Sequence, residues 1–198
     1  MRKAAEIITD SKTANVLVDP MRREIVRLLA ESEKTENDLA NLLGLADPSV
    51  GHHLKVLRDK RLVRVVRKQA EKHGILQKFY EANATAYIVD GRQMPQQIER
   101  YFMPISLERA RGIITAVSMI LKKSPAVSSE DMEKFAKIFA AAIVDIARSK
   151  FSKPCNTSRE ELLGKLYHTA LTHLLKEPER LPVNVRTILR RVVSIMRP

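Results

Sequence analysis

Tryptophan is absent from the 198-residue chain, cysteine occurs once, and aromatic residues make up only 5% of it. A single thiol, Cys155, closes no internal disulfide and builds no multi-thiolate metal cage. That excludes a secreted disulfide scaffold and points to a reducing compartment. Long hydrophobic runs are also missing. Stretches such as Ala140 to Val144 fall far short of the ~20 apolar residues of a membrane span. The opening MRKAAEIITD lacks the apolar segment of a signal peptide, so the chain reads as cytoplasmic with no membrane partner. Catalytic signatures are wanting as well: there is no GxGxxG, no GxxxxGK followed by Ser or Thr, no HExxH and no GxSxG. No paired carboxylates stand out in an apolar pocket pattern, and the sequence reads as a non-enzyme.

What is present is an ordinary globular mixture, 44% hydrophobic and 29% charged, long enough for one or two domains with their own cores. Thirty-five basic residues against twenty-three acidic ones leave a net charge of +12, which attracts polyanions. The excess is concentrated. Residues 55–78 carry nine cations against Asp59 and Glu71, a net +7, whereas residues 1–54 sum to −2 and residues 79–92 to −1. Residues 93–198 sum to +8, but their eighteen cations are interspersed with ten anions, the pattern of a solvated helical surface.

The chain changes character near residue 92. Asp10 is a plausible N-cap for a short helix through Val18, and Asp19-Pro20 opens a second whose Ile25, Leu28 and Leu29 share a face. Thr35 with Asp38 three residues on resembles a capping box ahead of Leu39, Leu42 and Leu43, and Gly44 closes that helix. Asp47 as N-cap and Pro48 in the first turn then start a helix with Val50, Leu54 and Leu57 inward. Two helices joined by so short a Gly turn fit a helix-turn-helix. LVRVVR and ILQKFYEA read as the strands of a hairpin with a basic tip at Lys72-His73-Gly74. Beyond Met94-Pro95, four helices are expected: one capped by Ser106, one after Ser128 or Ser129, one from Ser158 with Glu161 completing a capping box, and one from about Pro182 to Met196.

The stretch DPMRREIVRLLAESEKTENDLANLLGLADPSVGHHLKVLRDKRLVRVVR resembles the winged helix-turn-helix of the ArsR superfamily of transcriptional regulators. The likeness covers about residues 5–90 and is strongest to archaeal members with a helical C-terminal extension. Within it, PSVGHHLKVLRDKRLV matches the recognition helix and first wing strand, except that Asp47 stands where Gln is frequent and Gly51 where Ser is frequent. The resemblance implies an α+β, mainly α fold. A winged helix-turn-helix DNA-binding domain over residues 1–92 precedes an all-helical region over 93–198, which serves dimerisation and possible effector binding.

The residues support that reading independently. With Val50, Leu54 and Leu57 inward, Ser49, His52, Lys55 and Asp59 lie on the outer face of the third helix of the motif, with Asp47 at its entrance. Such a face suits a major groove, and it equally suits a solvated amphipathic helix. His53, 100° from His52, either packs against the preceding helix or contacts phosphate. Arg67, Lys68, Lys72, His73 and Lys78 form a wing that phosphates would accept, or an edge hairpin guarded by lysines. The candidate DNA-contacting set is Thr35, Asp47, Ser49, Gly51, His52, His53, Lys55, Arg58, Arg64, Arg67, Lys68, Lys72, His73 and Lys78.

Many members of the resembled family sense metals through thiolate pairs on the helix before the recognition helix. Here that helix, TENDLANLLG, has no Cys, and His168 and His173 are five apart, a poor spacing for joint ligation. No metal or other cofactor is expected. The expected partners are double-stranded DNA and a second copy of the chain, because the wide apolar faces of the two middle C-terminal helices exceed what a monomer needs to bury. The helical half is equally compatible with a closed bundle or with a cavity for a small apolar effector. Two functions follow: a sequence-specific regulator, read as a repressor acting as a homodimer on a two-fold related operator, or a non-specific architectural DNA binder.

Overall fold

The computed structural model describes residues 2–70, 76–122, 126–154 and 157–196, with side chains described through Arg191. The elements in chain order are β1 (Lys3–Ile8), α1 (Ser11–Val16), α2 (Pro20–Glu31), β2 (Lys34–Thr35), α3 (Glu36–Leu43), α4 (Asp47–Asp59), β3 (Val63–Ala70), β4 (Leu76–Ala82) and β5 (Ala84–Val89). Four helices follow: α5 (Gln96–Leu121), α6 (Ser129–Lys150), α7 (Arg159–Lys176) and α8 (Val183–Met196). The chain is α+β and mainly α, a winged helix-turn-helix followed by a helical region, as the sequence predicts.

Local signals set most boundaries. Asp10 accepts from the Thr13 amide at 2.8 Å and caps α1, and Asp19 accepts from Met21 and Arg22 ahead of Pro20 in the first turn of α2. Thr35 and Asp38 form a complete capping box on α3, and Gly44 takes the left-handed conformation (φ 64°) that ends it. The cap of α4 differs from expectation. Ala46, in extended conformation, is the N-cap and makes no side-chain bond, while Asp47 lies one residue inside the helix. Its carboxylate there complements the positive end of the helix. Ser128 and Ser158 cap α6 and α7, but among the described residues only Thr35 and Asp38 close a reciprocal box; Glu161 pairs forward with Lys165 at 2.6 Å instead.

Two strands unheralded by the sequence organise the molecule. β1 and β5 pair in parallel, Lys3 opposite Ala84 through Ile8 opposite Val89, and the other edge of β1 bonds to the α6–α7 connection through the amides of Ala4 and Ala5. A three-stranded sheet of order β2-β4-β3 forms the wing, antiparallel throughout. The adjacent Val65-Val66 pair marks a bulge: Val65 faces Tyr80 while Arg67 already faces Phe79.

The core has two large parts. Ile25, Leu29, Leu39, Leu54 and Leu57 centre the winged-helix cluster, and Phe135, Phe139, Ile143, Leu166 and Leu174 centre the helical one. Helix α5 serves both, with Ile98 and Phe102 packed against the first and Ala110, Ile114 and Val117 in the second. That double burial carries the helix straight through Pro104, so Ser106, expected as an N-cap, lies ten residues inside α5 and its hydroxyl donates to the Phe102 carbonyl. The apolar faces of α6 and α7, expected to exceed a monomer's needs, are covered within the chain by α5, α8 and β1. Large exposed apolar side chains lie instead on α5, at Tyr101, Met119 and Ile120, on α8 at Val183, on α3 at Leu42, and on the wing at Val66 and Leu76.

Candidate nucleic-acid interface

Helix α4 is held by Val50, Leu54 and Leu57, all fully buried, and this fixes which residues face outward. Ser49, His52, Lys55, Arg58 and Asp59 are exposed, with Asp47 and Pro48 at the N-terminal end. Asp47, Ser49 and Lys55 have no side-chain hydrogen bond or ion pair among the described residues. The outer face is therefore a row of donors and acceptors with no competing intramolecular partners. Pro48 lies on the same exposed line and adds an apolar ring, although the sequence marks it only as a helix-starting residue.

His53 belongs elsewhere. Its side chain, 16% exposed, turns toward α2 rather than α3, with Nδ1 at 3.9 Å from the Asp19 carboxylate that caps α2. Its ring meets that of His52 edge-on at 6.1 Å between centroids. Thr35 is also removed from the surface: it is 3% exposed and its hydroxyl accepts from the Asp38 amide, so its side chain offers nothing to a groove. In return the Thr35 backbone amide donates to Asp38, which holds that carboxyl below the usual carboxylate range. Gly51 lies where α4 approaches the start of α3, and a Cβ there would run into the Glu36 carboxylate.

The wing divides its cations into two kinds. Arg64 pairs with Glu81 at 3.1 Å, and Arg67 reaches back to Glu33 at 2.7 Å while its guanidinium lies 3.2 Å over the Phe79 ring. These two arginines are already engaged. No local signal in the sequence announces Glu33 as a partner, since it lies 34 residues away in the α2–β2 connection. Lys68 and Lys78, by contrast, are exposed, face each other directly across the strands and have no carboxylate partner among the described residues. Like charges opposed in this way are unfavourable until an anion comes between them. Lys72 and His73 lie outside the described residues, as does Cys155.

Residues 19–65, which span α2, α3, α4 and the first residues of β3, match the family model for bacterial regulatory proteins of the arsR family. They form an ArsR-family helix-turn-helix domain. Over 50 residues, 25% of this chain, the sequence is 36% identical to the transcriptional repressor SdpR of Bacillus subtilis (strain 168). That match spans 56% of the relative's length. The ArsR-type domain thus accounts for the scaffold that presents α4, and most of the wing and all of α5–α8 lie beyond it. Among the described residues no cluster of three or more His, Cys, Asp or Glu side chains is arranged to hold a metal ion, and no helix is long and apolar enough to cross a membrane.

Proposed function

We propose that this chain is a sequence-specific DNA-binding transcriptional regulator of the cytoplasm, a repressor with no catalytic role that binds a two-fold related operator as a homodimer. It combines an ArsR-type domain with a helical extension, as in the archaeal members it resembles. The observation that carries the reading is the outer face of α4, where Ser49, His52 and Lys55 stand exposed on a helix anchored from behind by Val50, Leu54 and Leu57. In a major groove, Ser and Lys reach base edges or phosphates and His donates or accepts, while Lys68 and Lys78 meet the backbone. The repressive sign is supported by the relative in Bacillus subtilis, itself a transcriptional repressor. Dimerisation is assigned to the exposed face of α5, which carries Tyr101 and Met119.

One specific observation favours the architectural reading. The described wing cations with no carboxylate partner are both lysines, point charges that any phosphate satisfies without regard to sequence. Footprinting on genomic fragments separates the two. A regulator protects discrete sites, at an affinity at least ~10³ above its binding to random duplex. Uniform protection at every concentration would leave the architectural reading standing.

A further inference from the structure

A cleft of about 340 Å³ lies between the ArsR-type domain and the helical region, bounded by α2, β5, α5 and α6, with Arg159 of α7 at its edge. That volume is within the range of small-molecule sites. Its walls combine an apolar body with a strongly one-sided charge. Val26, Tyr87, Phe102 and Ile105 supply apolar surface, while Arg23, Arg27, Arg109 and Arg159 line the cleft against a single carboxylate, Glu24. Arg27 is matched by that carboxylate at 2.7 Å. Arg23 donates only to the neutral carbonyls of Leu17 and Val18, at 2.8 and 2.7 Å, and Arg109 lies 5.6 Å over the Tyr167 ring. Neither Arg23 nor Arg109 has a carboxylate partner among the described residues.

A second observation points the same way. Thr85 lines this cleft, is 1% exposed, and its hydroxyl has no hydrogen-bond partner among the described residues. By strand alternation Thr85 shares a face of β5 with Tyr87 and Val89, the face turned toward α2. An orphaned buried hydroxyl costs free energy that a bound acceptor recovers.

We propose that the cleft binds a small organic anion, a monocarboxylate with an apolar body, whose charge is met by Arg23 and Arg109 and accepts from the Thr85 hydroxyl. The same ligand bears on DNA binding, a second step that rests on the regulator reading. Helix α2 is shared: Ile25 and Leu29 sit in the winged-helix core, Arg23 and Arg27 face the cleft, and the α2 cap Asp19 meets His53 of α4. Arg23 ties the two carbonyls directly before that cap. A carboxylate that draws Arg23 away alters the support on which the recognition helix rests.

Calorimetry of the full chain with octanoate, 1-octanol and sulfate tests the site. Octanoate should saturate one site per chain, with octanol and sulfate each at least tenfold weaker. Arg109→Met and the isosteric Thr85→Val should each weaken octanoate about tenfold, and Arg109→Lys should restore most of the loss. Melting curves of each variant establish that it is folded. No octanoate binding, equal binding of octanol, equal binding of sulfate, or indifference to both variants would each overturn the site. Titrating octanoate into the protein on its footprinted DNA tests the second step, and unchanged DNA affinity at saturating octanoate overturns the coupling alone. Absence of any DNA binding would defeat the regulator reading while leaving the calorimetric result intact.

Discussion

The Asp90 carboxylate and the Arg148 guanidinium, 58 residues apart in sequence, meet at 3.3 Å where β5 hands over to the helical region. Asp90 is 1% exposed and also accepts from Arg92 at 2.8 Å, while Arg92 bridges on to Asp145 of α6. The hydrogen bond from Arg92, ahead of its charge and that of Arg148, holds the Asp90 carboxyl below the usual carboxylate range. A depressed carboxyl stabilises the fold above the unfolded value of ~3.9, and that contribution is lost as pH falls through the folded value. Asp90→Asn should therefore cost about 1–3 kcal/mol near neutral pH. Urea melts of both proteins at descending pH should show the gap closing once pH drops below the ordinary Asp value. A gap that stays constant would assign the loss to packing rather than to the carboxylate.

The split between the outer face of α4 and the wing lysines predicts two distinct modes of failure on DNA. Ser49→Ala or His52→Ala should lose about 1–3 kcal/mol on the preferred operator and much less on random duplex, as lost base contacts do. Lys68→Ala and Lys78→Ala should weaken both duplexes similarly and lower the magnitude of the log-log salt slope by about one for each phosphate contact removed. His53→Ala belongs with neither. Because His53 faces the α2 cap, its first effect should be on thermal stability. Equal losses for all four surface variants on both DNAs would favour the architectural reading.

Local chemistry explains what was legible in the sequence. Caps such as Asp10, Asp19, Thr35 with Asp38, and Gly44 act within four residues, so their signals are complete in a short window, and the inward rows of α2 and α4 follow from period alone. The parallel pairing of β1 with β5 joins residues about eighty positions apart, and neither strand carries a turn signal that would betray its partner. The expected cap at Ser106 fails for a related reason, Pro104 standing two residues before it. The proline has the local mark of a break, yet burial of Ile98 and Phe102 on one side and Ala110 and Ile114 on the other carries the helix across it. At the site the outer face of α4 was readable from Val50, Leu54 and Leu57. The engagement of Arg67 was not, because Glu33 and Phe79 reach it only through the fold.

Gly51 offers a test of how α3 and α4 meet. The nearest atoms a Cβ at this position would meet are those of the carboxylate end of Glu36, the far end of a flexible side chain, whereas glycine inside a helix is about 1 kcal/mol less favourable than alanine. Gly51→Ala should therefore raise stability, by up to about 1 kcal/mol, in a denaturant melt. A loss of comparable size would mean that Glu36 is pinned and that the glycine is needed for the close approach of the two helices.

The dimer contact proposed for α5 can be probed at a single residue. Tyr101 and Met119 are eighteen positions apart on α5, five full turns, so they share one bearing along about 27 Å of helix. Both are exposed, Met119 at 76%, and Gly112 and Thr115 on the same line are small enough to let a second helix approach closely. Glu108, paired with Arg111, shares this bearing between Tyr101 and Gly112, so the apolar part of the line is its C-terminal stretch around Met119, and Met119 is the residue to change. Cutting the chain before α5 is a poor test, since Ile98 and Phe102 pack against the winged-helix core and their loss would damage both halves. Met119→Glu leaves those contacts alone. Burying a methionine contributes about 1.5–3 kcal/mol, and the variant forces a carboxylate into the same place, so dimer dissociation by sedimentation equilibrium should strengthen tenfold or more. Met119→Leu, equally apolar, should dissociate like the unaltered protein. A full-length chain that sediments as a monomer at micromolar concentration, or a dimer indifferent to Met119→Glu, would move the contact off α5.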